Sequence, residues 1–336
     1  MNDNKKKKIK VIATWIIVPF MALIFILDIV TVVLGNIYAK RYDIKEETFT
    51  LENGDDRIHF LNTANSDCIL LESNGRFAMV DSGEGDSNPR RKVAYNGFED
   101  EVIAYLNKVA ADENGVVHLD FILGTHYHYD HVGSFPAIIN ENNIKISRAY
   151  FKAYLDKMDK SIEIERWGLP EIYNEIISAL KAKNIEIISN IPDKIVFGDF
   201  SLDLFNTGYF EDLYGKGENS SSIGIKVTKG SKSAFLAADI TGPSGLEDKL
   251  GEQIGRCDLL KIGHHGYYGS SSMSFLNFIR PEVCIVTNHQ GKVYPNVKWN
   301  LTMFAKVPFY ATYDYNGIIA SFSDSGEIIL TDNINR

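Results

Sequence analysis

Cysteine is scarce in this chain of 336 residues. The three cysteines, Cys68, Cys257 and Cys284, lie in apolar runs typical of strands, and their odd number does not fit a disulfide framework. We therefore interpret them as small buried side chains. Low-complexity segments and short tandem repeats are also lacking. What remains, at 45% hydrophobic and 24% charged residues, is the composition of an ordinary globular protein.

Basic charge is in short supply outside the amino-terminal region. The net charge is −9, and residues 1–41 hold seven Lys or Arg against Asp3 and Asp28. The rest of the chain therefore carries 28 basic and 42 acidic residues, a net charge of −14. Such a domain repels polyanions unless a local basic patch or a bound metal attracts them. The charge balance thus disfavours nucleic acid as a partner.

A long apolar run follows a cluster of lysines near the amino terminus. Residues 11–38 are dominated by apolar side chains, which are enough to cross a hydrocarbon core of about 30 Å. The lysines lie before this run and should keep the amino terminus in the cytoplasm. We predict a cytoplasmic basic tail (1–10), a single-pass membrane anchor (11–38), a polar stalk (39–56) and an extracellular domain (57–336).

Two points about the anchor stay open. A cleaved signal peptide is the alternative, although the apolar region is unusually long for one and Ile37-Tyr38-Ala39 is a poor cleavage site. Asp28 is costly in lipid, so it faces a partner helix or lies near the outer interface.

Three histidines and one aspartate, all potential metal ligands, lie within the six-residue stretch His126–His131. An apolar run that is typical of a buried strand leads into it, and ligands bind at the carboxyl ends of strands in α/β sheets. Alternate residues of an extended segment point the same way, so His126 and His128 can hold one metal ion. Asp130 and His131 can hold a second ion, the alternative being a polar surface loop.

Two other strand ends supply further candidates. Asp239 ends an apolar strand, where a buried carboxylate needs a partner; a bridging position between two ions would provide one, and a turn cap is the alternative. His264 and His265 end another strand, so that one can complete the second metal site and the other can contact substrate. Imidazole with carboxylate suits Zn²⁺, and Mn²⁺ or Fe²⁺ is also compatible.

A pair of divalent ions lowers the pKa of a bridging water and stabilises charge on the attacking and leaving oxygens. This arrangement suits hydrolysis of phosphodiesters, whose anionic phosphoryl group is drawn to the ions. Asp81, Asn219 and Ser222 are weaker candidates for orienting water or substrate.

The H-x-H-x-D-H pattern of His126–His131 resembles the metal signature of the metallo-β-lactamase superfamily. The rest of the chain reads as two β-rich halves, each with helices, which suits a four-layer αββα sandwich. We therefore expect an α/β fold of this kind, preceded by one transmembrane helix. The superfamily name describes a fold and leaves the substrate open.

Two resemblances within the superfamily cover nearly all of residues 57–331. The extracellular domain of competence DNA-uptake proteins is similar at Asn219-x-x-Ser222, at Asp239 and at Gly263–Gly266. The catalytic module of the teichoic-acid phosphorylcholine esterase is closer, on the segments Ile69–Glu84 and Leu119–Leu123.

The second resemblance implies a two-zinc phosphodiesterase that releases phosphorylcholine from teichoic acid or a related cell-surface polymer. It implies that the reacting centre contains Asp130, Asp239 and His264, with His264 as the phosphate contact, although the order of the histidine pair stays open. Trp167 and Tyr173 are candidates for a choline cage, the alternative being helix packing. The implied metal ligands are His126, His128, Asp130, His131, Asp239 and His265.

Two departures from the relatives bear on this reading. Many of them supply a third histidine to the first ion, but this chain has none between His131 and His264 and carries Asn219–Ser222 at the corresponding place. It also has no choline-binding repeats, so a membrane anchor would replace wall attachment. The alternatives to the esterase are a competence-type nuclease acting on DNA and a non-catalytic, metal-bearing binding module.

Overall fold

The computed structural model describes residues 13–39, 44–45, 56–89 and 96–332. The predicted cytoplasmic tail and most of the predicted stalk lie outside these ranges.

The described helices vary widely in length. They are α1 (Val18–Ala39, continuing a π-turn at Ala13–Ile17), α2 (Glu99–Val109), α3 (Tyr129–Val132), α4 (Phe135–Asn140), α5 (Ser161–Trp167), α6 (Leu169–Ala182), α7 (Leu246–Ile254), α8 (Met273–Ile279) and α9 (Pro295–Trp299). A π-helical segment, Asn300–Ala305, follows α9 directly.

The described strands are β1 (Ile44–Lys45), β2 (Asp56–Phe60), β3 (Cys68–Ser73), β4 (Arg76–Ser82), β5 (Val117–Leu123), β6 (Ile144–Ile146), β7 (Arg148–Tyr150), β8 (Glu186–Ile188), β9 (Lys194–Phe197), β10 (Phe200–Phe205), β11 (Gly224–Lys229), β12 (Lys232–Leu236), β13 (Leu259–Lys261), β14 (Val283–Val286), β15 (Phe309–Ala311), β16 (Ile318–Phe322) and β17 (Ile328–Asp332).

These strands form two sheets. The first has the order β1-β17-β16-β2-β3-β4-β5-β7-β8, with β6 also paired to β5, and the second has the order β15-β14-β13-β12-β11-β10-β9. The short β1 pairs in parallel with β17, so this sheet begins inside the segment that the sequence analysis predicts to be stalk.

The two sheets pack face to face between two layers of helices. On β3, Ile69 and Leu71 face the second sheet, while Leu70 packs against the helices on the outer side. This alternation explains why the run is apolar throughout, since both faces of the strand are buried. Helices α2, α4 and α6 cover the first sheet, and α7, α8 and α9 cover the second. The predicted four-layer αββα sandwich is confirmed.

Cys68, Cys257 and Cys284 are free thiols buried inside these layers, as predicted. The chain turns between α5 and α6 at Gly168. That residue has a φ of +68°, a conformation that favours glycine.

The amino-terminal helix is apolar and mostly exposed. The 26 residues Thr14–Ala39 are long and apolar enough to cross a membrane, as an anchor or a signal segment would. Its carboxyl-terminal end packs on the domain: Thr31 and Tyr38 are buried, and the Tyr310 hydroxyl donates a hydrogen bond of 3.2 Å to the Ala39 carbonyl.

Candidate metal centre

Two tight turns bring the candidate ligands to the same edge of the paired sheets. His126 follows β5, and His264 and His265 follow β13. A Cβ on Gly124 would lie 2.3 Å from Phe151 Cε1, and one on Gly263 would lie 2.1 Å from the Ile240 carbonyl oxygen, so both positions require glycine.

The histidine pair has an unusual backbone. His264 and His265 have φ values of +49° and +50°, a left-handed conformation that is costly for non-glycine residues and is concentrated at functional sites. The His265 ring is fully buried, whereas the His264 side chain is 32% exposed. The turn therefore gives the two rings different surroundings.

The first group of potential ligands contains His126, His128 and Asp239, all buried. His126 Nε2 lies 3.2 Å from His128 Nδ1 and 3.7 Å from Asp239 Oδ2. Ligand atoms around one divalent ion stand at such separations, because each lies about 2 Å from the ion.

The second group surrounds the other oxygen of Asp239. His131 Nε2 lies 3.2 Å from His265 Nε2 and 3.1 Å from Asp239 Oδ1. His265 Nε2 is also 3.6 Å from Asp130 Oδ2. Asp239 thus stands between the two groups, with Oδ2 toward one and Oδ1 toward the other.

Both carboxylate oxygens of Asp239 are buried and have no hydrogen-bond partner among the described residues. A buried carboxylate without hydrogen bonds is costly unless a cation compensates it. The donor set, imidazole nitrogens with bridging carboxylate oxygens, fits two divalent ions, and it does not identify the metal.

Other side chains lie beside the outward-facing nitrogens of these histidines. His131 Nδ1 lies 2.7 Å from Asp81 Oδ2 and His265 Nδ1 lies 3.1 Å from Thr287 Oγ1, both at hydrogen-bond distance. His128 Nε2 makes no hydrogen bond among the described residues and lies 3.5 Å from Glu163 Oε1, within ion-pair distance. A partner at the outer nitrogen fixes the tautomer and leaves the inner nitrogen free to bind a cation.

Burial and charge set the protonation of the centre. Burial alone would raise the pKa of Asp239, but the imidazoles of His131, His264 and His265 hold that pKa well below its usual value. Burial, then the charge of His131, lowers the pKa of His126 well below that of ordinary imidazole. Asp239 is therefore a carboxylate and His126 a neutral imidazole, which are the forms that bind cations.

Asp67 was missed by the sequence analysis and lies behind the second group. Its Oδ1 is 3.3 Å from His265 Nδ1 and accepts a hydrogen bond of 2.5 Å from Thr287 Oγ1, while its Oδ2 pairs with the fully buried Lys261 ammonium. Although Asp67, His131 and His265 form a compact set, Asp67 meets the outer nitrogens of the rings. We therefore interpret Asp67 as a residue that orients the two imidazole rings and not as a metal ligand.

The pKa of Asp67 reflects this pairing. Burial alone would raise it, but the Lys261 ammonium and then His265 lower it below the usual range. The sequence does contain a signal for such a partner. Lys261 lies inside the apolar run Leu259–Ile262, and an ammonium group that is buried there requires a carboxylate.

A pocket opens over the first group. Besides predicted metal ligands, three predicted site residues line it, namely Trp167, Asn219 and His264. The sequence analysis did not single out its other charged and aromatic lining residues, which are Lys160, Glu163, Lys216 and Tyr268.

Three of the predicted substrate-binding residues lie away from this pocket, which corrects that part of the sequence analysis. Asp81 is buried behind His131 and accepts hydrogen bonds from Thr125. Ser222 is fully buried, with its Oγ 3.5 Å from His126 Nδ1. The Tyr173 ring packs 5.2 Å from that of Tyr127, as the helix-packing alternative expects.

The comparisons with known proteins agree with this architecture. The family model of the Metallo-beta-lactamase superfamily matches residues 61–286. The chain therefore belongs to the metallo-β-lactamase superfamily, whose members are usually metal-dependent hydrolases.

Individual relatives are distant. The chain is 22% identical over 257 residues to ComE operon protein 3 of Bacillus subtilis, covering 67% of this chain and 30% of the relative. It is 27% identical over 117 residues to Recombination protein 2 of Haemophilus influenzae, covering 34% and 13%. The chain thus spans less than a third of either relative. The metallo-beta-lactamase fold protein YhfI from Bacillus subtilis has a TM-score of 0.49 at 12% identity, with 80% of this chain and 99% of that one covered.

Proposed function

We propose that this protein is a binuclear-metal phosphodiesterase anchored to a membrane by its amino-terminal helix, with phosphorylcholine esters of teichoic acid or related cell-surface polymers as its substrates. The observation that carries the proposal is the position of Asp239. Its two oxygens, both without hydrogen-bond partners among the described residues, face two separate imidazole groups.

His126, His128 and Asp239 would hold the first ion, and Asp130, His131, Asp239 and His265 would hold the second. When bound, a pair of divalent ions lowers the pKa of a coordinated water and offsets charge on phosphoryl oxygens. In this proposal the chain's own groups bind and orient the ester. His264 lines the pocket and offers a ring nitrogen to a phosphoryl or leaving-group oxygen, and the Asn219 amide offers a further hydrogen bond.

The choline part of the proposal rests on the similarity of Ile69–Glu84 to the esterase and on two aromatic rings. Trp167 lies 5.6 Å from the His128 ring, between centroids, and lines the pocket together with Tyr268. Aromatic faces attract a quaternary ammonium by about 0.5–2 kcal/mol per contact.

A nuclease is the second candidate. Lys160 and Lys216 line the pocket and make no ion pair within 4 Å among the described residues, so they favour an anionic substrate. The similarity to ComE operon protein 3 adds support. The net charge of −14 beyond residue 41 opposes it, because a long polyanion would be repelled over most of the surface.

The third candidate is a metal-bearing binding module. The first ligand group has only two histidines, which is one fewer than in many members of the superfamily. Tight binding of a phosphodiester without its hydrolysis would support this candidate over both enzymes.

The test is a substrate panel on the full chain loaded with zinc or manganese. p-Nitrophenyl phosphorylcholine, bis(p-nitrophenyl) phosphate and single-stranded DNA separate the three candidates. We expect choline-ester turnover that chelation and Asp239→Asn abolish, with Asp248→Asn, an exposed carboxylate on α7, as the matched control. Cleavage of DNA alone would favour the nuclease, and absence of turnover on every ester would refute the phosphodiesterase.

A further inference from the structure

One stretch of this acidic chain has the opposite charge. Residues 268–310 contain four basic residues and a single acidic one, Glu282, which gives a net charge of +3. Glu282 is itself paired with Arg256, at 2.8 Å between Oε1 and Nη2. The four basic residues are Arg280, Lys292, Lys298 and Lys306.

The same stretch carries exposed apolar side chains. Met273 on α8 and Phe304 on the π-helical segment are 47% and 59% exposed. Together with Met303 they line one shallow groove between α8 and that segment. We call the face formed by α8, α9 and Asn300–Ala305 the α8–α9 surface.

The α8–α9 surface adjoins the amino-terminal helix. Helix α1 contacts both α9 and the π-helical segment. Ala39 lies against Tyr310 through a 3.2 Å hydrogen bond, and a Cβ on Gly35, one turn nearer the amino terminus, would lie 4.0 Å from Thr302 Cγ2. Helix α1 therefore passes Tyr310 first and Thr302 one turn nearer its amino terminus, and this is the direction in which α1 leaves the domain.

The length of free helix sets how far the domain can stand from a bilayer. Contact with the domain begins near Thr31, which is buried, whereas residues 14–30 are mostly exposed. At about 1.5 Å per residue these residues reach roughly 25 Å, slightly less than the thickness of a hydrocarbon core of about 30 Å. Among the described residues of α1 no exposed helix is left over as a spacer, so an inserted α1 would hold the end of the domain from which it leaves close to the bilayer.

We propose that the α8–α9 surface rests on an anionic lipid bilayer, with Met273 and Phe304 among the headgroups and Lys298 and Lys306 paired with lipid phosphates. Apolar side chains flanked by basic ones are the usual composition of such contacts. The inference rests on the proposed membrane anchoring of α1 and is independent of the phosphodiesterase activity.

The surface borders the metal pocket. The Tyr268 ring, which lines the pocket, lies 6.3 Å from that of Tyr294, the residue immediately before α9. A pocket rim at the bilayer favours substrates carried on membrane-attached molecules over substrates free in solution.

The test uses single cysteines labelled with an environment-sensitive fluorophore, in the full chain reconstituted into vesicles that contain phosphatidylglycerol and a nitroxide-bearing lipid. The native cysteines are buried and leave the introduced ones as the accessible thiols. Phe304→Cys reports on the surface, and Phe25→Cys, 67% exposed on α1, reports on insertion. Val196→Cys is the matched control, because Val196 is 74% exposed on β9, at the sheet edge opposite β15.

We expect the nitroxide lipid to quench the labels at positions 25 and 304 and to leave the label at position 196 bright. If the label at position 25 is quenched but the label at 304 is quenched no more than the label at 196, the proposed bilayer contact of the α8–α9 surface is wrong and the proposed insertion of α1 stands. No quenching at 25 would overturn the anchor and the surface together. Turnover of a soluble ester, measured in parallel, tests the phosphodiesterase separately.

A second measurement tests the charge of the partner. Lys298→Gln with Lys306→Gln should reduce quenching at position 304 in phosphatidylglycerol vesicles, whereas Lys181→Gln with Lys194→Gln should leave it unchanged. Replacing phosphatidylglycerol by phosphatidylcholine should produce the same loss. Equal quenching in the two lipids would overturn the assignment of an anionic surface.

Discussion

Glu163 Oε1 lies 3.5 Å from His128 Nε2, on the side of the ring opposite Nδ1, which faces His126. The other oxygen, Oε2, accepts hydrogen bonds from the backbone N–H groups of Lys160, at 2.7 Å, and Glu218, at 3.3 Å. One carboxylate thus supports a metal-facing imidazole and also ties α5 to the loop at Glu218.

Glu163→Gln should weaken metal binding at the first group of ligands. The amide carries no charge, and its single oxygen can face either His128 or the two backbone N–H groups, but not both. Loss of such a partner costs about 10–100-fold in metal affinity. Titration of the apoprotein with Co²⁺, followed by its visible spectrum, measures this change. Glu165→Gln, exposed two residues further on α5, is the matched control, and equal affinities for the two variants would contradict the role of Glu163.

Alanine substitutions at His264 and His265 should have different effects on metal content and on kcat. His265→Ala removes a ring nitrogen 3.2 Å from His131 Nε2, so about one bound ion per chain should be lost. His264→Ala should keep both ions and lower kcat about 100-fold, the scale of a lost proton-transfer or hydrogen-bonding group. Metal content measured by mass spectrometry decides the case, since loss of an ion from His264→Ala would make that residue a ligand.

Lys261→Met should strongly destabilise the fold, because it leaves the buried Asp67 without its ammonium partner. Breaking one side of a buried ion pair costs about 3–5 kcal/mol. Urea unfolding in detergent micelles, followed by tryptophan fluorescence, measures the free energy of unfolding. Lys232→Met disrupts a partly exposed pair with Asp258 and should cost about 1 kcal/mol or less, so equal losses in the two variants would refute the argument.

Glu247 should make stability depend on pH. Its buried carboxylate accepts hydrogen bonds from the backbone N–H groups of Ser271 and Ser272, yet burial raises its pKa to about 7 from the usual 4.5. The folded state therefore binds more protons than the unfolded state between these values, and the free energy of unfolding should fall by about 3 kcal/mol as pH rises from 4.5 to 7. Above pH 7 the contribution is constant.

The measurement is the difference in unfolding free energy between the wild type and Glu247→Gln across that pH range. The variant should lack the downward slope that Glu247 contributes. A difference that does not change with pH would show that the carboxyl group titrates normally in the folded protein.

Trp167→Ala should change the KM for a choline ester more than the KM for an ester without choline. Loss of one cation–π contact, about 0.5–2 kcal/mol, should raise KM for p-nitrophenyl phosphorylcholine about two- to thirtyfold. The KM for bis(p-nitrophenyl) phosphate, which has no ammonium group, should change much less. Tyr173→Phe is the control, because that ring packs against Tyr127 and not in the pocket. Equal effects on both esters would argue against a choline subsite.

The sequence by itself determined the fold class, and it predicted the residues of the two groups of potential metal ligands. His126–His131 is a contiguous stretch, and Asp239 and His264-His265 each end an apolar run, so local pattern was enough to select them. Parallel strands then place these ends at one edge of the sheets without further information.

Only the tertiary structure decided the supporting contacts and the direction of each side chain. Asp67 and Lys261 are 194 residues apart, and Glu163 lies on a helix whose sequence carries no metal signal. Asp81, Ser222 and Tyr173 have side chains suited to substrate contact, but packing turns them away from the pocket. The docking of α1 on the π-helical segment likewise depends on surfaces distant in sequence, and no local pattern encodes which of them meet.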